Sequence, residues 1–99
     1  MAYEPGALDA ALAAAVGDDP SMVEQLRSAL FDSAERHADL MVRSRCDANW
    51  RAAAWRLKGL AASFGAMQLL AAAQEALDAA PGDPVAIRKV KRAILLLKA

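Results

Sequence analysis

The chain has no threonine, one cysteine and one histidine. Its aromatic side chains are two tryptophans, two phenylalanines and a tyrosine. With Cys46 alone, no disulfide can form within the chain, which suits a reducing compartment. A catalytic thiolate needs a base beside it. Arg43 and Arg45 are close in sequence, but no base is evident, so Cys46 reads as an incidental thiol. β-Branched residues are scarce, which argues against a sheet. Proline occurs only at Pro5, Pro20, Pro81 and Pro84, leaving long stretches free to be helical. The most apolar C-terminal run, Ala93 to Leu97, is far shorter than the roughly 20 residues a membrane span needs. The acidic start lacks the basic segment and apolar run of a signal peptide. A cytoplasmic protein with no membrane partner is the expectation. No Gly-rich phosphate loop, zinc-ligand spacing or nucleophile elbow occurs, so neither cofactor nor metal is expected.

Net charge is also missing: twelve bases balance twelve acids. The balance is uneven along the chain. Residues 1–41 carry eight acids against two bases, residues 42–81 five bases against three acids, and residues 82–99 five bases against one acid. A nucleic-acid binder is usually basic overall, so no nucleic-acid partner is expected. The basic second half suits an acidic protein partner, or is simply a set of solvated helix faces.

What the chain has in quantity is alanine, the strongest helix former. Ninety-nine residues are enough for one small core, so residues 1–99 are expected to form a single helical domain. Punctuation divides it into five helices. The first runs from about Pro5 to Val16, closed by Gly17. The second starts near Pro20, capped by Asp19 or by Ser21 with Glu24, and reaches about Arg43. Its apolar stripe is Val23, Leu26, Leu30, His37 and Leu40. Asp47 is the expected cap of a third helix from Ala48 to about Phe64, ended by Gly65. A fourth runs from Ala66 to Ala79, with Met67, Leu70, Gln74 and Leu77 on one side and Leu69 and Ala73 beside them. Asp83 caps and Pro84 opens the last helix, whose stripe is Ile87, Val90, Ile94 and Leu97. Four such helices with short connections pack naturally as an antiparallel up-and-down bundle, with the short first helix over one end.

Trp55 breaks the pattern. Trp50, Ala53, Leu57, Leu60, Ala61 and Phe64 form the apolar stripe of the third helix, and steps of 100° place Trp55 roughly 160° from Leu57. Its neighbours on the helix surface are Arg51, Lys58, Gly59 and Ala62. A glycine in mid-helix costs about 1 kcal/mol relative to alanine, so Gly59 suggests that another backbone or side chain comes close there. An exposed indole beside a flat spot, flanked by cations, has the composition of a binding hot spot. Alternatively, the ring folds over the Arg51 and Lys58 stems or lies under the first helix.

The run from Trp55 to Leu70, WRLKGLAASFGAMQLL, resembles the signature of histidine-phosphotransfer (HPt) domains: His-x-Leu-Lys-Gly, then Gly-Ala about six residues on, then Leu. Leu57, Lys58, Gly59, Gly65, Ala66 and Leu69 or Leu70 match it. The resemblance implies a four-helix bundle with an extra N-terminal helix. It also implies a lysine beside the phosphohistidine and a glycine that admits a receiver domain. The histidine position itself is Trp55. The indole nitrogen's lone pair belongs to the ring, so this side chain is only a hydrogen-bond donor and cannot attack phosphorus. The resemblance therefore implies a non-enzymatic module that binds a response-regulator receiver domain or a sensor histidine kinase. The expected partner-binding residues are Arg51, Trp55, Arg56, Lys58, Gly59, Ala62 and Ser63, with no catalytic residue. Two other readings stay open. His37, 18 residues upstream on an apolar stripe, is expected to be a partly buried, hydrogen-bonded side chain, but an active transferase would have to use it. Otherwise the chain is a structural homodimer paired through the Trp55 face; a monomer or weak homodimer fits the docking reading.

Overall fold

Pro5 and Pro20 each open a helix, as does Pro84, and the helices between them fill nearly the whole chain. The computed structural model describes the backbone of residues 5–17 and 19–97 and the side chains of residues 10–17 and 19–97. The charges of Glu4, Asp9, Asp18 and Lys98 lie outside the described side chains. Among the described residues the elements are α1 (Pro5–Val16), α2 (Pro20–Val42), α3 (Asp47–Phe64), α4 (Met67–Leu77) and α5 (Pro84–Leu96), with no strand. The protein is all-α.

Local chemistry explains most boundaries. Gly17 takes a φ of 82°, a conformation that closes α1 and that a side chain would strain. Of the two candidate caps for α2, Asp19 is the one used: its carboxylate accepts the Ser21 N–H at 2.9 Å. Asp83 does the same for α5, accepting the Ala86 N–H at 3.1 Å, with Pro84 next in the first turn. Asp47 departs from expectation. It is the first residue of α3 rather than its cap, and Cys46 occupies the cap position without a side-chain hydrogen bond. In the first turn the Asp47 carboxylate meets the positive end of the helix dipole, which stabilises the start by a different route. At the other end Gly65 has a φ of 66°, and the Ala66 N–H donates to the Ala61 carbonyl at 2.9 Å. So tight a turn leaves α4 directly beside α3.

The helices pack in sequence order, α2 on α3, α3 on α4 and α4 on α5, and α5 returns to α2. α1 lies against α2 and α3 and contributes Leu12 to the core. The core is small-grained. Trp50, Leu57, Leu69, Met41 and Val90 are its large members, and alanines fill most of the remaining positions. The buried side of α2 is Leu30, Ala34, Ala38 and Met41, not the stripe continuing to Leu40, which is 45% exposed. Stepping 100° per residue from Leu30 puts Met41 roughly 20° away and Leu40 roughly 80° away, on the flank. On α4 the buried side is Leu69, Ala72, Ala73, Ala76 and Leu77; Met67 and Gln74 are exposed and Leu70 is half-buried. The core face thus keeps Leu77 from the expected stripe and otherwise runs through Leu69 and Ala73, expected beside it.

Trp50 joins two helices chemically as well as by packing. Its ring is fully buried, and Nε1 donates to the Ala76 carbonyl at 2.7 Å. Arg51 Nη1 donates to the adjacent Leu77 carbonyl at 2.9 Å. The last carbonyls of a helix lack partners within it, and a cation there also opposes the dipole. Consecutive residues of α3 thereby cap the C-terminal end of α4. Arg27 Nη1 reaches the Leu97 carbonyl at 3.4 Å and ties α2 to the end of α5.

Candidate functional site

The outward face of α3 carries the site. Trp50, Leu57 and Ala61 turn one side of the helix into the core, which leaves Trp55 on the other side with 55% of its surface exposed. It is not among the side chains packed on the core. Lys58, one turn on, places Nζ 4.7 Å from the indole centroid. That ammonium also donates to Oε1 of Gln74 on α4 at 2.7 Å. The cation is therefore held on two sides, by the negative face of the ring and by a carbonyl oxygen. Arg51, expected as the second flanking cation, is turned instead to the Leu77 carbonyl, so among the described residues Lys58 alone stacks on the indole.

Gly59 follows Lys58 on the exposed side. A Cβ built there would meet nothing within 4 Å. Among the described residues nothing makes the close approach that a mid-helix glycine suggested. Ala62 and Ser63 are both exposed, and the Ser63 hydroxyl donates to the Gly59 carbonyl at 2.9 Å, within the same helix. Gly59, Ala62 and Ser63 thus make a low, solvent-facing strip beside the protruding indole. Trp55, Lys58, Gly59, Ala62 and Ser63 come together on one face. Arg51 reaches away toward α4, and Arg56 stands on the side facing α2, where its charge acts on His37.

His37 is on α2, half-buried as expected. Burial is the main cause that lowers its pKa below the usual histidine value of about 6.5, followed by the charges of Arg56 and Arg36. The ring is thus neutral at pH 7. Nδ1 is buried with no hydrogen-bond partner among the described residues, so the expected hydrogen bond is not made at that nitrogen.

Cys46 is an exposed free thiol. Among the described residues no three His, Cys, Asp or Glu side chains converge to hold a metal ion, and no helix is long and apolar enough to cross a membrane. Compared with protein families, curated proteins and solved structures, the chain matches none of them. The likeness to HPt domains therefore rests on the Trp55–Leu70 pattern itself. Sequence reasoning missed the Lys58–Gln74 link and the double cap on α4. Neither leaves a sequence signal, because each joins residues on different helices.

Proposed function

We infer that this protein is a pseudo-HPt module: a cytoplasmic docking domain of a two-component or phosphorelay system that binds a receiver domain or sensor histidine kinase without accepting phosphate. In this reading the helices form an antiparallel up-and-down four-helix bundle, with α1 as the extra N-terminal helix. The cyclic packing of α2, α3, α4 and α5 through short connections supports that arrangement. One observation carries the functional reading. The side chain at the HPt histidine position, Trp55, stands outward beside Lys58 and the uncovered Gly59, where a phosphohistidine would have to stand. An indole there removes the nucleophile and leaves a large apolar contact in its place.

Trp55 is then the central anchor, and Gly59, Ala62 and Ser63 let the partner backbone come close. Lys58 supplies positive charge toward the acidic pocket of a receiver, with Arg51 and Arg56 at the rim. The protein acts by occupancy, competing for or holding its partner. The test is a pull-down from native cytosol with Trp55→Ala as the control, followed by titration of the captured partner. A captured receiver or kinase that loses affinity on substitution supports the reading. Unchanged affinity rejects the anchor. Sedimentation as a Trp55-dependent dimer, with no partner captured, favours the homodimer instead.

A further inference from the structure

A second surface lies on the other side of Lys58. Between α4 and α5 an open groove of about 880 Å³ runs along the outer side of the molecule. Met67, Leu70, Ala71 and Ala93 form its floor, and Met67 is 53% exposed. Lys58, Lys89 and Arg92 stand around it with a single carboxylate, Glu75. Lys89 already engages that carboxylate, Nζ to Oε2 at 3.1 Å. Arg92 has no ion-pair partner among the described residues. Lys58 meets only the neutral Gln74 amide and the Trp55 ring, so the border of the apolar trough is net positive, with two of its three cations unmatched by a carboxylate among the described residues.

We propose that this groove is a docking site for an acidic amphipathic helix of a partner protein. The trough is walled by two helices and is therefore concave, which fits a helix better than a flat membrane surface. α4 is 11 residues long, about 16 Å, so the groove takes about three turns of a ligand helix. Apolar residues at i, i+3, i+4 and i+7 would lie on Met67, Leu70 and Ala71. Acidic residues flanking that stripe would face Lys58, Lys89 and Arg92. The small side chains of Ala71 and Ala93 let the two backbones approach, and the excess of positive charge selects against a basic helix. The inference does not depend on the phosphorelay reading: it uses neither the HPt resemblance nor Trp55, and only Lys58 borders both surfaces.

The probe is a fluorescent 15-residue helical peptide with leucines at the i, i+3, i+4, i+7 positions and glutamates elsewhere. A control peptide carries lysine in place of every glutamate. Fluorescence anisotropy with the full chain should show saturable binding of the acidic peptide that weakens as salt rises, and at least tenfold weaker binding of the basic one. Ala71→Trp, which fills the groove, and Arg92→Glu, which reverses its unpaired charge, should each weaken binding at least tenfold. Both residues are exposed, and circular dichroism checks that the variants fold. Trp55→Ala should change the peptide's affinity by less than about threefold, separating this site from the α3 surface. Equal affinity for both peptides, no saturable binding of the acidic one, or indifference to both groove substitutions would overturn the proposal. Equally damaging would be binding of the chain to anionic phosphatidylglycerol vesicles that the acidic peptide fails to displace, or self-association that hides the groove.

Discussion

Replacing Trp55 with alanine separates an anchor from a structural residue, because the two roles predict opposite pairs of numbers. A tryptophan side chain buries up to about 250 Å² when fully covered, so 55% exposure leaves roughly 130 Å² for a partner. At about 25 cal/mol per Å² that surface contributes about 3 kcal/mol to binding, before the cost of ordering the interface. A loss of about 2–3 kcal/mol in affinity, roughly 30- to 150-fold, is expected by calorimetric titration against the captured partner. The effect on folding should be small. Trp55 is not packed on the core, and the Lys58 contact supplies only about 0.5–1 kcal/mol. Alanine recovers about half a kcal/mol through its higher helix propensity. Urea unfolding should therefore shift by no more than about 1 kcal/mol. A stability loss near 3 kcal/mol with affinity unchanged would refute the reasoning, since the indole would then be holding the fold.

Three further outcomes follow from the same structure. Gly59→Ala should raise stability by about 0.5–1 kcal/mol, seen as a Tm increase of roughly 2–8 °C, because a Cβ there meets open space; the same change should weaken partner binding if the strip admits a close backbone. Trp50→Phe should cost about 1–3 kcal/mol in denaturant unfolding, since it removes the donor that reaches the Ala76 carbonyl at 2.7 Å inside the core. His37 has its pKa lowered in the folded protein, so the unfolded chain takes up the proton first as pH falls. Stability should hold above about pH 6.5, decline as pH drops below it, and lose that slope once the folded ring is itself protonated. Because His37 is the only histidine, His37→Leu should flatten this part of the pH–stability curve; an unchanged slope would assign it to other groups.

Much of this fold can be read from its punctuation. Prolines at the first helical positions, glycines with positive φ and the Asp19 and Asp83 caps mark boundaries within a residue or two of those observed. The outward position of Trp55 follows from helical periodicity, because Trp50, Leu57 and Phe64 are bulky enough to define the opposite side. Where alanine dominates, the face is ambiguous. α4 reads MQLLAAAQEAL, and its alanines satisfy more than one stripe, so packing against α3 and α5 decides that Leu69 and Leu77 face inward while Met67 stays outside. The stripe of α2 drifts for a related reason: Ala34 and Ala38 carry the core contact that Leu40 was expected to make. At the site, sequence placed Trp55, Lys58 and Gly59 on one face. It could not tell that Arg51 would cap α4, because helix ends compete for nearby cations only after the chain has folded.

The most direct test of docking without transfer is to put the reactive ring back. Trp55→His and the unaltered protein are each incubated with the captured receiver carrying radiolabelled phosphoryl on its aspartate, and label on this chain is measured after electrophoresis. The account predicts acid-labile label on the variant, where Lys58 stands beside the new imidazole, and none on the unaltered protein. Label on the unaltered protein, or a variant that binds the receiver yet stays unlabelled, would contradict it.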